Sequence, residues 1–245
     1  MMTLTILFMT EYEKKARLYP TLLSAAVPGI LVLWCVWTIV PQYFTAIPFI
    51  YRVLSMIGCA GIFIAACSFF GREVCRRMSK CLFQSWLFKE DETEMPTTDL
   101  LIYEKSIFST QQIDNIRNKI CTDFTISIPP KDQQVESVEL RKTITDAVRQ
   151  IREKTRANAI LLDYNIRYGF CRNLLGGLSI GILFTFALIV TVFFNIIPLS
   201  IAPVIWALIL QLTLLGGAFF QLKGIAKEYA KQLYNVYSLV SLKIC

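Results

Sequence analysis

Residues 173–222 read NLLGGLSIGILFTFALIVTVFFNIIPLSIAPVIWALILQLTLLGGAFFQL, with no Asp, Glu, Lys or Arg between Arg172 and Lys223. One helical crossing of a hydrocarbon layer takes about 20 apolar residues. The run is therefore long enough for two spans and a tight connection, and too long for one. Asn195, Pro198 and Pro203 mark the turn, which leaves spans over residues 174–194 and 205–222.

A second run, from Arg17 to Arg72, carries Arg52 as its single charge. It divides the same way, into spans over 20–40 and 50–70 with Pro41, Gln42 and Pro48 at the turn. Composition agrees: 55% hydrophobic residues, 18% charged and a mean hydropathy of +0.51 are too apolar for an ordinary water-soluble domain. The expected fold is an all-α membrane protein, with four transmembrane helices as two hairpins around a mostly helical cytoplasmic middle domain. Its parts are an N-terminal segment (1–19), hairpin 1 (20–70), the middle domain (71–172), hairpin 2 (173–222) and a C-terminal helix (223–245).

Lysine and arginine set the orientation. Lys14, Lys15 and Arg17 precede the first hairpin and Arg72, Arg76, Arg77 and Lys80 follow it. Arg167 and Arg172 precede the second, and Lys223, Lys227 and Lys231 follow that. The excess of positive charge stays in the cytoplasm, so both termini are expected there. Arg52, at the start of its span beside Tyr43 and Tyr51, reads as a snorkelling anchor; gating or selectivity is the alternative. The apolar start, residues 1–10, has acidic Glu11 and Glu13 next and no positive leader, so no signal cleavage is expected. It suits a short interfacial helix.

Chemistry is narrowed by what is missing. With no histidine, Ser-His-Asp and Cys-His catalysis and Cys/His zinc sites are excluded. The eight cysteines form no Cys-x-x-Cys pair, and there is no Gly-x-Gly-x-x-Gly or Walker-type loop. No enzyme, cofactor or metal site is expected. The glycine pairs Gly176-Gly177 and Gly216-Gly217 read as positions of close helix packing. The acidic run of Glu90, Asp91, Glu92 and Glu94 reads as a solvated loop.

The middle section carries the functional signal. Val74, Met78, Leu82 and Trp86 continue the second span as a cytoplasmic helix. Ser109 and Gln112 resemble a capping box ahead of an Ile113, Ile116, Ile120 stripe, a short helix to about Cys121. Phe124, Ile126 and Ile128 alternate as one short strand at most. A long helix is expected from about Gln134 almost to the third span. On it Leu140, Ile144, Ala147, Val148 and Ile151 share one face, while Arg141, Arg149, Arg152 and Arg156 fall within roughly 80° of one another on a separate face. If the helix is unbroken, Arg167 joins them. The planar guanidinium fork suits phosphate, which makes these five the candidate anion-binding residues. Such a stripe also suits solvent, a partner such as Glu153, or anionic lipid heads.

Four spans with few polar groups enclose little water in one copy, so a channel needs several subunits around an axis. Thr185, Thr191, Asn195 and Gln211 are the candidate lining groups, with an interhelical hydrogen bond as the alternative for Gln211. The last helix extends beyond Lys231 through Leu233, Val236, Tyr237 and Val240, a stripe suited to the middle section or a neighbouring subunit.

Three short motifs carry a resemblance: Tyr19-Pro20-Thr21-Leu22-Leu23, Pro96-Thr97-Thr98, and Tyr168-Gly169-Phe170-Cys171-Arg172-Asn173. The chain resembles a group of small bacterial inner-membrane proteins with a Tyr-Gly-Phe-x-Arg-Asn segment before the second hairpin, which usually have Glu-Asn where Tyr164-Asn165 stand here. In layout it is similar to the channel effector of Hailong-type antiphage systems. The resemblance implies an oligomeric channel or pore opened or closed by an oligonucleotide from a partner nucleotidyltransferase, in abortive antiviral defence. Tyr168, Gly169, Phe170, Arg172 and Asn173 are the expected coupling residues between ligand and bilayer. A non-conducting anchor that recruits a soluble partner is the alternative function.

Overall fold

The computed structural model of the chain describes residues 10–43, 49–84, 92–133 and 136–239. The expected interfacial helix at the start, Trp86 and Val240 lie outside these residues, as does the side chain of Arg52. A π-helical turn over Glu13–Leu18 leads into α1 (Tyr19–Tyr43), and α2 (Phe49–Ala66) follows. A π-helical stretch, Cys67–Gly71, joins α2 to α3 (Arg72–Ser79), and another, Lys80–Gln84, follows α3. The second span thus does continue as helix, as far as Gln84. The remaining helices are α4 (Pro96–Asp99), α5 (Thr110–Phe124), α6 (Val138–Lys154), α7 (Ala159–Phe193) and α8 (Ile201–Leu239).

Among the described residues the chain is all-α, and four stretches are long and apolar enough to cross a membrane: Glu13–Ile39, Ile57–Phe83, Ala159–Phe193 and Ile201–Leu239. That is compatible with a multi-pass membrane protein. Several expected boundaries move. Pro41 and Gln42 lie in the last turn of α1 rather than in a connection. Pro203 lies in the first turn of α8, where its missing N–H has no intrahelical acceptor to lose. Phe124 ends α5, and residues 125–130 are irregular rather than a strand.

The long helix expected from Gln134 is two helices. Thr155 ends α6 with its hydroxyl on the Ile151 carbonyl at 2.8 Å, and Asn158 opens α7 by accepting from Leu161 N–H at 3.1 Å. Asn at this position satisfies one of the bare N–H groups of a new helix, so the chain breaks without proline or glycine. Arg167 consequently stands on a different helix from Arg141, Arg149 and Arg152, and Arg156, expected on the same helix, lies in the turn between the two.

The chain divides into two compact units, residues 1–83 with 169–221 and residues 84–168 with 222–245. In the first, α7 packs against α1 and α3 with almost no clearance. A Cβ on Gly176 would sit 2.1 Å from the Cys75 carbonyl oxygen, and one on Gly177 2.0 Å from Ser24 Oγ. The glycines are there because the facing backbone and hydroxyl leave no room for a side chain. Gly216 and Gly217 meet nothing within 4 Å, so the packing expected of that pair is absent within the described chain. Leu31, Leu188, Val192 and Val204 form a small buried cluster.

The second unit has a dry core. Leu101, Ile102, Ile120, Ile144 and Ile151 pack with Leu233, Tyr234 and Tyr237 of α8. The stripe beyond Lys231 therefore packs on the middle section of its own chain. The capping box is present in full, with Ser109 and Gln112 each bonding the other's backbone N–H.

Candidate functional site

Five arginines were expected to form one anion-binding face, and the structure sorts them by burial. Arg141 is 5% exposed. Its fork donates to Glu136 Oε1 at 2.6 Å, to Asp99 Oδ1 at 3.2 Å and to the Thr93 carbonyl at 2.7 Å, and Glu94 lies 3.7 Å away. Buried and fully engaged, it has no donors left for a ligand, so Arg141 is a structural centre rather than a binding residue. Glu94, read as part of a solvated loop, belongs to this cluster. Lys105 and Arg141 together hold the Glu136 carboxyl below the usual carboxylate range.

Arg149, Arg156 and Arg167 have exposed side chains, each facing one nearby carboxylate: Asp146 at 3.6 Å, Glu153 at 3.6 Å and Asp163 at 2.9 Å, with Arg156 in the turn just beyond α6. Such surface pairs contribute about 0–1 kcal/mol, so a phosphate can displace them. Arg149 and Gln150 line two adjoining hollows of about 340 and 430 Å³, with Ile126, Thr143 and Asp146 in one and Phe124, Glu153 and Lys154 in the other. Arg149 is the only member of the expected face that borders open volume among the cavities described.

Arg152 is different again. Its guanidinium lies 6.0 Å from the ring centre of Tyr229 on α8, and Tyr229 stacks on Tyr168 of α7 with centroids 6.5 Å apart and planes 19° apart. Helices α6, α8 and α7 thus meet in one cation–aromatic stack. Sequence periodicity placed Arg152 on the face but gave no sign of this stack, because Tyr229 is remote in the chain.

The expected coupling segment separates into distinct jobs. Tyr168 joins that stack. Gly169 lets the start of the chain approach α7: a Cβ there would lie 2.9 Å from Ala16 Cβ and 3.0 Å from the Tyr12 hydroxyl. Asn173, 1% exposed, donates to the Ala16 carbonyl at 2.6 Å, within the π-helical turn. Phe170 and Arg172 are half-buried. The motif is therefore a clasp between α7 and the segment that opens α1.

The expected lining residues do not form one row. Thr185 and Gln211 are wholly buried and bonded to each other at 3.0 Å, the interhelical hydrogen bond weighed as the alternative. Thr191 is half-buried and caps back onto the Leu188 carbonyl, and Asn195 turns the chain at a φ of 57°. Only Asn195 is exposed.

Asp123, missed by the sequence reading, ties the end of α8 to α5 and α6. It accepts from Lys154 Nζ at 2.6 Å and from the Tyr237 hydroxyl at 2.8 Å. Burial raises its carboxyl, but these two bonds outweigh that and hold it below its ordinary range. Among the described residues no group of three acidic, Cys or His side chains is placed to hold a metal ion.

Compared with known protein families, curated proteins and solved structures, the chain gives no match.

Proposed function

We propose that the chain is an oligomeric ion channel or pore effector of a bacterial inner membrane, gated by an anionic nucleotide or oligonucleotide at its cytoplasmic unit, in antiphage defence of the Hailong type. The observation that carries the gating part is the continuity of α7 and α8. At 35 and 39 residues they are about 52 and 58 Å long, well beyond a hydrocarbon layer of about 30 Å. Each runs unbroken from an apolar stretch into the polar unit, where the Arg152, Tyr229 and Tyr168 stack grips both. A phosphate drawn to Arg149 and Arg156 competes for Arg152 and loosens that grip.

Lipid is the solvent that suits the first unit. Leu183, Phe186, Phe193, Trp206 and Phe220 are among many large apolar side chains left bare on it. Burying one such side chain is worth about 1.5–3 kcal/mol, so ten left in water forgo on the order of 20 kcal/mol. A typical net stability of about 5–15 kcal/mol does not tolerate that. The positive charges flanking the apolar runs favour an orientation with both termini and the polar unit in the cytoplasm. A closed ring of subunits supplies the water path that one chain lacks.

The test is ion flux through liposomes containing the purified protein, with and without cyclic and linear oligoadenylates. The expected result is flux that changes with ligand and stops responding in R149E/R152E while assembly persists. Absence of flux under every ligand condition would leave the non-conducting anchor as the reading.

A further inference from the structure

A third, more enclosed cavity lies in the polar unit and shares no lining residue with the two Arg149 hollows. Of about 270 Å³, it is lined by Glu94, Pro96, Asp99, Lys105, Lys223 and Lys227, among others. Its wall is built by the Pro-Thr-Thr motif. Pro96 starts the short α4, Thr97 offers its carbonyl to the Tyr234 hydroxyl at 2.5 Å, and Asp99 reaches Arg141. The Tyr234 bond pins α4 against α8, the helix that carries Lys223 and Lys227.

The charges do not cancel evenly. Glu94, Asp99 and Glu136 converge on Arg141, and Glu136 also takes Lys105 at 2.6 Å. Three carboxylates thus serve two cations, and their acceptor oxygens point at them. Lys223 and Lys227 make no ion pair or side-chain hydrogen bond among the described residues. One turn apart on α8, both line this one cavity. One of the two offsets the carboxylate in excess, which leaves the recess and its wall with one net positive charge, the sign that draws phosphate.

We infer that this cavity binds a phosphate-bearing ligand through Lys223 and Lys227, with Lys105 opposite. The site is separate from the Arg149 hollows and stands whether or not the chain conducts. Phosphate reaches it either on a free phosphoester or as a lipid headgroup, since Lys223 directly follows the apolar run of α8.

The experiment uses the full chain in two settings: in dodecyl maltoside titrated with pyrophosphate by calorimetry, and in nanodiscs of phosphatidylcholine with or without phosphatidylglycerol, scored by the lipid retained in native mass spectrometry. The K223Q/K227Q variant is expected to lose about tenfold or more of the binding in at least one setting, while K223R/K227R keeps it and K131Q, at an exposed lysine that lines none of these cavities, leaves it unchanged. Loss with pyrophosphate alone assigns a soluble phosphoester, and loss of phosphatidylglycerol alone assigns the headgroup. Binding of neither probe, binding indifferent to K223Q/K227Q, or equal loss in K131Q overturns the site. Both lysines are exposed, so their removal leaves the core intact, and circular dichroism of the variant checks that.

Discussion

Phe220 and Tyr234 stand on one helix, α8, and meet opposite fates: Phe220 is 84% exposed and Tyr234 is fully buried. Tyr234 belongs to a unit that closes a core around itself, with its hydroxyl spent on a backbone carbonyl. Phe220 belongs to a unit that spends its closest contacts on glycine-to-backbone approach and leaves its large side chains outward. On the proposed membrane reading the two units solve the burial problem for two solvents. In the polar unit apolar groups must leave water, so the core is aliphatic and aromatic. In the apolar unit nothing is gained by hiding leucine from lipid, so packing is set by small residues and a few buried polar groups.

The contrast is broken most severely at Arg141. R141M removes the donor shared by Asp99, the Thr93 carbonyl and Glu136, leaving Glu136 to Lys105, and loss of one side of a buried pair costs about 3–5 kcal/mol. Hydrogen exchange should show α4 and α6 peptides opening in R141M, while R149Q changes stability by less than about 0.5 kcal/mol. Equal effects at both positions would remove the distinction between structural and free arginines.

In the apolar unit the corresponding probe is glycine. G176A places a methyl 2.1 Å from the Cys75 carbonyl oxygen, and the backbone must shift at a cost of about 1–3 kcal/mol. G216A meets open space and should hold stability or raise it by up to about 1 kcal/mol through helix propensity. Thermal unfolding in detergent ranks the two; a larger loss in G216A would indicate that this face is covered by a second chain.

Acid sharpens the comparison from the polar side. Glu136 and Asp123 both have carboxyls held below their ordinary values, so their contribution is complete at neutral pH. It is lost as pH falls below about 4 through the folded values. Exchange of α5 and α6 amides should rise between pH 5 and 3, after correction for intrinsic rates, while glycine-packed α7 amides stay protected. Unchanged α5 and α6 protection at pH 3 would contradict the assignment.

Much of this was legible from the chain. Charge-free runs located the four long apolar helices because lipid and charge exclude one another, and Ser109 with Gln112 announced α5 by local chemistry alone. The break after α6 was harder. Its signal was Asn158, a capping residue with no proline or glycine beside it, inside a pattern that otherwise continued as helix. Arg141 was illegible as a core residue. Helical periodicity placed it beside Arg149, and its partners Asp99 and Thr93 lie over forty positions away, where only the tertiary fold brings them. Likewise the clasp of Asn173 on Ala16 joins residues 157 apart.

Sidedness of the chain tests the account most directly. In a background with the native cysteines replaced, S200C reports the connection between α7 and α8 and T122C the exposed surface of α5. Intact expressing bacteria, with the outer membrane permeabilised, are treated with a membrane-impermeant maleimide. The account predicts labelling of S200C before lysis and of T122C only after it. Labelling of both positions before lysis would contradict a bilayer crossed by α7 and α8, and labelling of T122C alone would contradict a cytoplasmic polar unit.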